Sequence, residues 1–176
     1  MSSLYAQLLG DAFRELPPVL QKFHTATAEA RAEGTLSIRR GKGVLRSLCA
    51  TLMRLPPVGE QIPIRLQVQV RGEQEQWTRD FGDHRLVTKQ WSHEGLLIER
   101  AGPLCFGFRL SVNAGEMHFS FVRCWVAGIS LPLFFAPRVN AIARACEEGW
   151  WIRVQVELPL LGQITEYEGG VTPQWK

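Results

Sequence analysis

The chain has 176 residues, 45% apolar and 21% charged, with 20 Lys plus Arg against 17 Asp plus Glu and a net charge of +3. That length and balance describe one globular domain with a substantial core and exclude a disordered chain. So small a basic excess also argues against a nucleic-acid partner, because neutralising phosphates calls for a larger and more clustered one.

The opening stretch, "MSSLYAQLLGDAFREL", has no basic region leading into a long apolar run and no small-residue cleavage site, so it does not read as a secretory signal. Leu4, Tyr5, Leu8, Leu9, Ala12, Phe13 and Leu16 recur at helical spacing and predict one amphipathic helix. Ser2 or Ser3 caps it, and Pro17 and Pro18 end it. Pro18 also opens a second short helix, "PVLQKFHTA". Together they form a helical N-terminal segment over residues 1–30.

Residues 34–60 hold a strand, "TLSIRRG", followed by a helix over 44–55. Val44, Leu45, Leu48, Cys49, Leu52, Met53 and Leu55 make an apolar stripe, and Pro56 and Pro57 stop the helix. A leucine stripe with arginines opposite also suits a membrane surface. A core helix shows the same pattern, and a long meander needs a cover, so the Leu45, Leu48, Leu52 face is expected to be buried. Membrane contact is the less favoured reading.

The corner before that helix is "RRGKG". Arg39, Arg40 and Lys42 bring positive charge to a turn opened by Gly41 and Gly43, beside the electropositive end of a helix. The spacing matches neither a P-loop nor a dinucleotide fingerprint. The corner is therefore either a plain connection or a seat for the acidic head of an amphiphilic ligand.

Over residues 61–169 strand follows strand. "IPIRLQVQVRG", "QWTRDFG", "HRLVTKQW", "PLCFGFRLSV", "EMHFSFVRCWVAG" and "WWIRVQVELP" alternate, with small Gly-containing turns between them. The fold class is mainly β (α+β): a curved antiparallel meander or barrel-like sheet of about nine to ten strands, with two N-terminal helices and one inserted amphipathic helix. So many strands curl or close rather than stay flat. The whole of 1–176 is one domain, without a long C-terminal helix.

Candidate chemistry is sparse. Glu99 and Glu157 lie in apolar strands, where a carboxylate is solvent-facing, paired with an arginine such as Arg100, Arg109 or Arg153, or functional. His118 shares a strand face with Ser120, Val122 and Cys124, opposite Met117, Phe119, Phe121 and Trp125. Glu99, His118 and Glu157 are the weak catalytic candidates. Cys49, Cys105, Cys124 and Cys146 are scattered, with neither disulfide-framework nor metal-ligand spacing. A reduced, cytoplasmic protein without metal or cofactor is expected. Six tryptophans are many for this length, and large aromatics inside a barrel either fill it or wall a cavity. The candidate ligand-binding set is Arg39, Arg40, Gly41, Lys42, Gly43, Trp77, His118, Trp125 and Trp150. The expected function is noncatalytic binding of a small apolar or amphiphilic molecule. The alternatives are an enzyme using a cavity carboxylate or histidine, and a membrane or protein-interaction module.

The segments "LYAQLLGDAFRELPPVLQKFH", "RRGKGVLRSLCATLMRLPPVGEQIPI", "WTRDFG", "ERAGPLCFGFRL", "APRVNA" and "ELPLLGQITEYEGG" span almost the whole chain. In them it resembles an uncharacterised bacterial domain of unknown function (four-one-six-six). That family is often fused to saccharopine-dehydrogenase-like or short-chain-dehydrogenase-like NAD(P)-binding domains. The resemblance carries over no catalytic residue. It implies an accessory role beside an NAD(P)-dependent oxidoreductase, holding an apolar substrate.

Overall fold

The computed structural model describes residues 3–175, without the side chain of Leu52. Leu4–Leu9 (α1), Pro18–His24 (α2) and Val44–Leu52 (α3) are helical, and a 3-10 turn covers Gly10–Glu15. Eleven strands follow one another: Glu29–Arg40 (β1), Gly59–Arg71 (β2), Gln74–Phe81 (β3), His84–His93 (β4), Leu96–Ala101 (β5), Leu104–Asn113 (β6), Glu116–Val126 (β7), Ile129–Ser130 (β8), Arg138–Cys146 (β9), Gly149–Leu158 (β10) and Gly162–Pro173 (β11). No α-helix follows Gly128 among the described residues.

Every pairing is antiparallel, and two of them close the sheet: β1 with β11, and β6 with β7. Ten strands therefore form a closed barrel, while the two-residue β8 sits outside it on β7. Closure removes the unpaired edges that an open sheet of this length exposes. The expected meander is thus a true barrel, and the strand count rises by the outer piece.

Antiparallel order sorts the connections between two ends. Turns at 72–73, 94–95, 114–115 and 147–148 lie at the end where β1 starts, with the N-terminal helices. Residues 41–58, 82–83, 102–103, 127–137 and 159–161 form the other rim. At the first end the helices act as a plug. Tyr5, Phe13, Leu16, Leu20 and Phe23 are buried and join the barrel core. Phe23 packs on Trp150 with ring centroids 4.6 Å apart, and Tyr5 lies 3.8 Å from the His24 ring.

Three local readings are corrected. The single helix expected over 4–16 breaks at Gly10, whose φ of 57° is left-handed, and continues as the 3-10 turn. β1 starts at Glu29, inside the segment read as helical. Its early inward positions are Ala30, Ala32 and Gly34, too small to give a strong alternating signal. The third correction is the largest. α3 turns the first part of its apolar stripe away from the barrel: Val44 is 89% exposed, Leu45 55% and Leu48 53%. It rests instead on Ala50, which is 0% exposed against Val156 and Ile164, with Cys49 and Met53 beside it. Leu52, also assigned to the buried face, has its side chain outside the described residues.

Candidate functional site

The inward positions of the strands enclose a cavity of about 160 Å³. A single water needs roughly 10–15 Å³, so the space is well beyond a single water site. Its origin lies in the strand count. Eight strands leave an interior that side chains just fill, and ten make a wider ring. The walls are mostly aliphatic and aromatic: Leu36, Leu66, Phe106, Phe108, Met117, Trp150 and Val154 are among them. Tyr5 and His24 line it from the plugged end, and Met53 and Leu55, which follow α3, line it from the rim.

One polar cluster interrupts this lining. β3 alternates Glu75, Trp77, Arg79 and Phe81 inward, so the pleat brings an arginine into the cavity wall. Arg79 Nη1 lies 3.0 Å from Glu99 Oε1 on β5 and donates to Thr88 Oγ1 on β4 at 2.8 Å. The Thr88 hydroxyl donates to Glu99 Oε1 at 2.6 Å. Burial works against the Arg79 charge, but Glu99 beside it, with Tyr167 and Tyr5 further off, raises its pKa above the ordinary value. Tyr167 lines the same wall, its phenol pushed up to about 12 by burial. Nearer the plug, Tyr5 donates to Gln90 Oε1 at 2.8 Å and Trp77 Nε1 donates to Glu75 Oε2 at 2.9 Å. Burial pushes the Glu75 carboxyl up to about 7 despite the Trp77 hydrogen bond, and burial drives His24 down to about 3.

The sequence candidates divide sharply by position. Trp77, Glu99 and Trp150 line the cavity. The partner of Glu99 is Arg79, not Arg100, Arg109 or Arg153. Glu157 alternates with the cavity-lining Val154 and Val156 and so falls on the outer face of β10. His118 also faces outward, with its Nε2 3.7 Å from Glu116 Oε2, on the side of β7 opposite the cavity-lining Met117 and Phe119. Trp125 shares the outer wall, with the Arg123 guanidinium 5.2 Å from its ring centroid. The sequence placed Trp125 with Phe119 and Phe121. A β-bulge reverses that: the register passes from Phe108↔Phe121 to Gly107↔Arg123, leaving Val122 unpaired and turning Cys124 inward.

The "RRGKG" residues form a packed joint. Arg39 is exposed on the outer face, while Arg40 Nη2 donates to the Pro56 carbonyl at 2.9 Å. The Gly41 N–H donates to the Ile164 carbonyl at 3.0 Å, and a Cβ on Gly41 would lie 2.2 Å from the Gln163 carbonyl oxygen. Gly41 is thus required by the close approach of β11, and its amide is already used. Lys42 is exposed and Gly43 precedes α3 with φ 118°. Arg46, in the first turn of α3, clamps the joint. Its Nε and Nη2 donate to the Leu161 carbonyl at 2.8 and 2.5 Å, and its Nη1 to that of Lys42 at 2.5 Å.

The residues that sequence reasoning passed over are Arg79, Thr88, Gln90, Tyr5 and Tyr167. A usable signal existed for one of them: Arg79 occupies the inward phase between Trp77 and Phe81. A charged residue in the apolar phase of a strand marks a pairing or a site.

A family described as "Domain of unknown function (DUF4166)" matches residues 16–171. The chain belongs to that family. The matched residues start before α2 and run through the strands into β11, so the match covers the barrel and the second helix of the plug. No curated protein and no solved structure matches the chain.

Proposed function

We propose that the barrel of this DUF4166 protein holds a small amphiphilic molecule, with an apolar body and a neutral hydrogen-bonding head, without transforming it. The observation that supports this reading is the lining: apolar around most of its circumference, with one compensated ionic cluster at Arg79, Glu99 and Thr88. Cavities of this type gain affinity from apolar contact and orientation from a few placed polar groups. The Arg79 charge is already matched by Glu99, so a carboxylate head would compete with an internal partner. An alcohol, amide or ketone can accept or donate at the cluster and leave the pair intact. An accessory role beside an NAD(P)-dependent oxidoreductase, which the resemblance implied, fits the same proposal, the barrel keeping an apolar substrate out of water.

Acid–base catalysis is the second reading, and the position of Glu99 in the cavity wall favours it over a role for Glu157 or His118. Native mass spectrometry of freshly purified protein, followed by displacement with alcohol and carboxylate probes of equal chain length, tests the binding proposal. A retained small molecule and at least about tenfold preference for the alcohol, the size of one good hydrogen bond, are expected. Absence of any bound species together with no probe binding overturns it.

A further inference from the structure

We propose that the open rim of the barrel docks on an anionic lipid bilayer. The first observation is the orientation of α3. Its most apolar face (Val44, Leu45, Leu48) looks into solvent, and the helix attaches to the barrel through Ala50, Cys49, Met53 and the carbonyl clamp of Arg46. A helix that only covered a core would be turned the other way. The second is convergence. Residues 41–58, 159–161 and 127–137 occupy three consecutive arcs of one rim, because β11 pairs with β1 and β10 with β9. Leu160 is exposed on the middle arc, and Phe134 and Phe135 are exposed on the third with ring centroids 4.2 Å apart. Apolar side chains from three separate segments thus project from the same end of the barrel, where a soluble protein rarely gathers so many.

The third observation is charge, and it selects the occupant. The three arcs with the first residue of β9 contain Lys42, Arg46, Arg54 and Arg138 and no acidic residue. Arg46 is spent on carbonyls, while Lys42, Arg54 and Arg138 are exposed. In a two-fold contact between copies, the same patch faces itself and these cations meet no carboxylate of the arcs. Leucine and phenylalanine rimmed by lysine and arginine is instead the composition that seats in an anionic headgroup layer. The nine-residue α3 lies along such a layer and is too short to cross it. Docked in this way, the mouth faces the acyl region, and an apolar molecule passes between bilayer and cavity without entering water. The geometry of docking stands independently of the cavity ligand.

Flotation with vesicles of phosphatidylcholine alone, and of phosphatidylcholine with phosphatidylglycerol, tests the proposal. The protein is expected to float with the anionic vesicles at least about tenfold more than with the neutral ones. Leu45→Asp with Leu48→Asp should abolish flotation at unchanged melting temperature, since both positions are already solvated. Lys42→Glu with Arg138→Glu should erase the preference for anionic lipid. Equal flotation with both vesicle types overturns the anionic reading. Flotation that survives the Leu45, Leu48 double change overturns the surface assignment. A dimer in sedimentation velocity that the same change dissolves, with no flotation of the wild type, replaces the bilayer by a second copy. Probe binding in solution is measured separately, so loss of the cavity ligand and loss of docking are distinguishable.

Discussion

The two ends of the barrel are built from similar letters and have opposite fates. At the plugged end, α1 and α2 send Tyr5, Leu20 and Phe23 into the interior, where each is almost wholly buried. At the rim, α3 carries an equally apolar stripe and keeps it in water. Amphipathic periodicity therefore identifies a face that wants to leave water and says nothing about what receives it. The plug is received by the barrel's own aromatics, Trp77 and Trp150. The rim face, at Val44, Leu45 and Leu48, stays exposed among the described residues, and the docking proposal rests on that difference.

The contrast can be broken most severely at the plug. Phe23→Ala removes a ring packed on both Trp77 and Trp150 and should lower stability by about 3–5 kcal/mol in chemical denaturation. A loss under about 1 kcal/mol would mean that the plug is dispensable.

Between the two ends lies the Arg79–Glu99 pair, with both side chains largely shielded. Arg79→Met strands the Glu99 carboxylate and should cost about 3–5 kcal/mol, whereas adding Glu99→Met should restore much of that loss. If the double variant is as unstable as the single, the pair is held by more than its mutual attraction.

Glu75 sharpens the comparison through pH. Its pKa rises on folding, from an ordinary 4.5 to about 7, so between these values the folded state holds a proton that the unfolded state has released. Stability from this group is therefore present at low pH and lost as pH rises through about 7. The loss is on the order of 3 kcal/mol. Glu75→Gln keeps an acceptor for Trp77 Nε1 and removes the titration. The variant should match the wild type near pH 4.5 and exceed it in melting temperature at pH 8. Parallel curves across that range would show that Glu75 is ionised in the fold. His24 acts with the opposite sign, since burial lowers its pKa to about 3 and stability falls as pH drops below about 6.5.

The smallest effect belongs to the rim. Leu48→Ala should change stability by no more than about 0.5 kcal/mol, as for other solvated positions. A loss of 2 kcal/mol or more, the range for a buried leucine, would mean that α3 packs inward in solution and would remove the main support for docking.

Alternation in the sequence marked most of the strands, their order and, where no bulge intervenes, which residues share a face. A pleated strand alternates sides with period two, so Trp77, Arg79 and Phe81 on β3, or Trp150, Ile152 and Val154 on β10, are bound together before any partner is known. The sequence also marked Gly-containing turns between the strands, such as those at 94–95 and 114–115, and with them the meander. Tertiary structure decided what a one-dimensional period cannot carry. Closure through β1–β11 and β6–β7 made a cavity and set Arg79 beside Glu99, a pair 20 positions apart that meets only because β3, β4 and β5 lie side by side. The unpaired Val122 shifted the phase of β7 by one residue and moved Trp125 to the outside, a change that follows from the pairing with β6 and leaves no mark in the alternation. The side of α3 that is buried was fixed by the joint at Gly41, the Arg46 clamp on Leu161 and the seat of Ala50 on Val156 and Ile164, which hold the helix and leave Val44, Leu45 and Leu48 exposed.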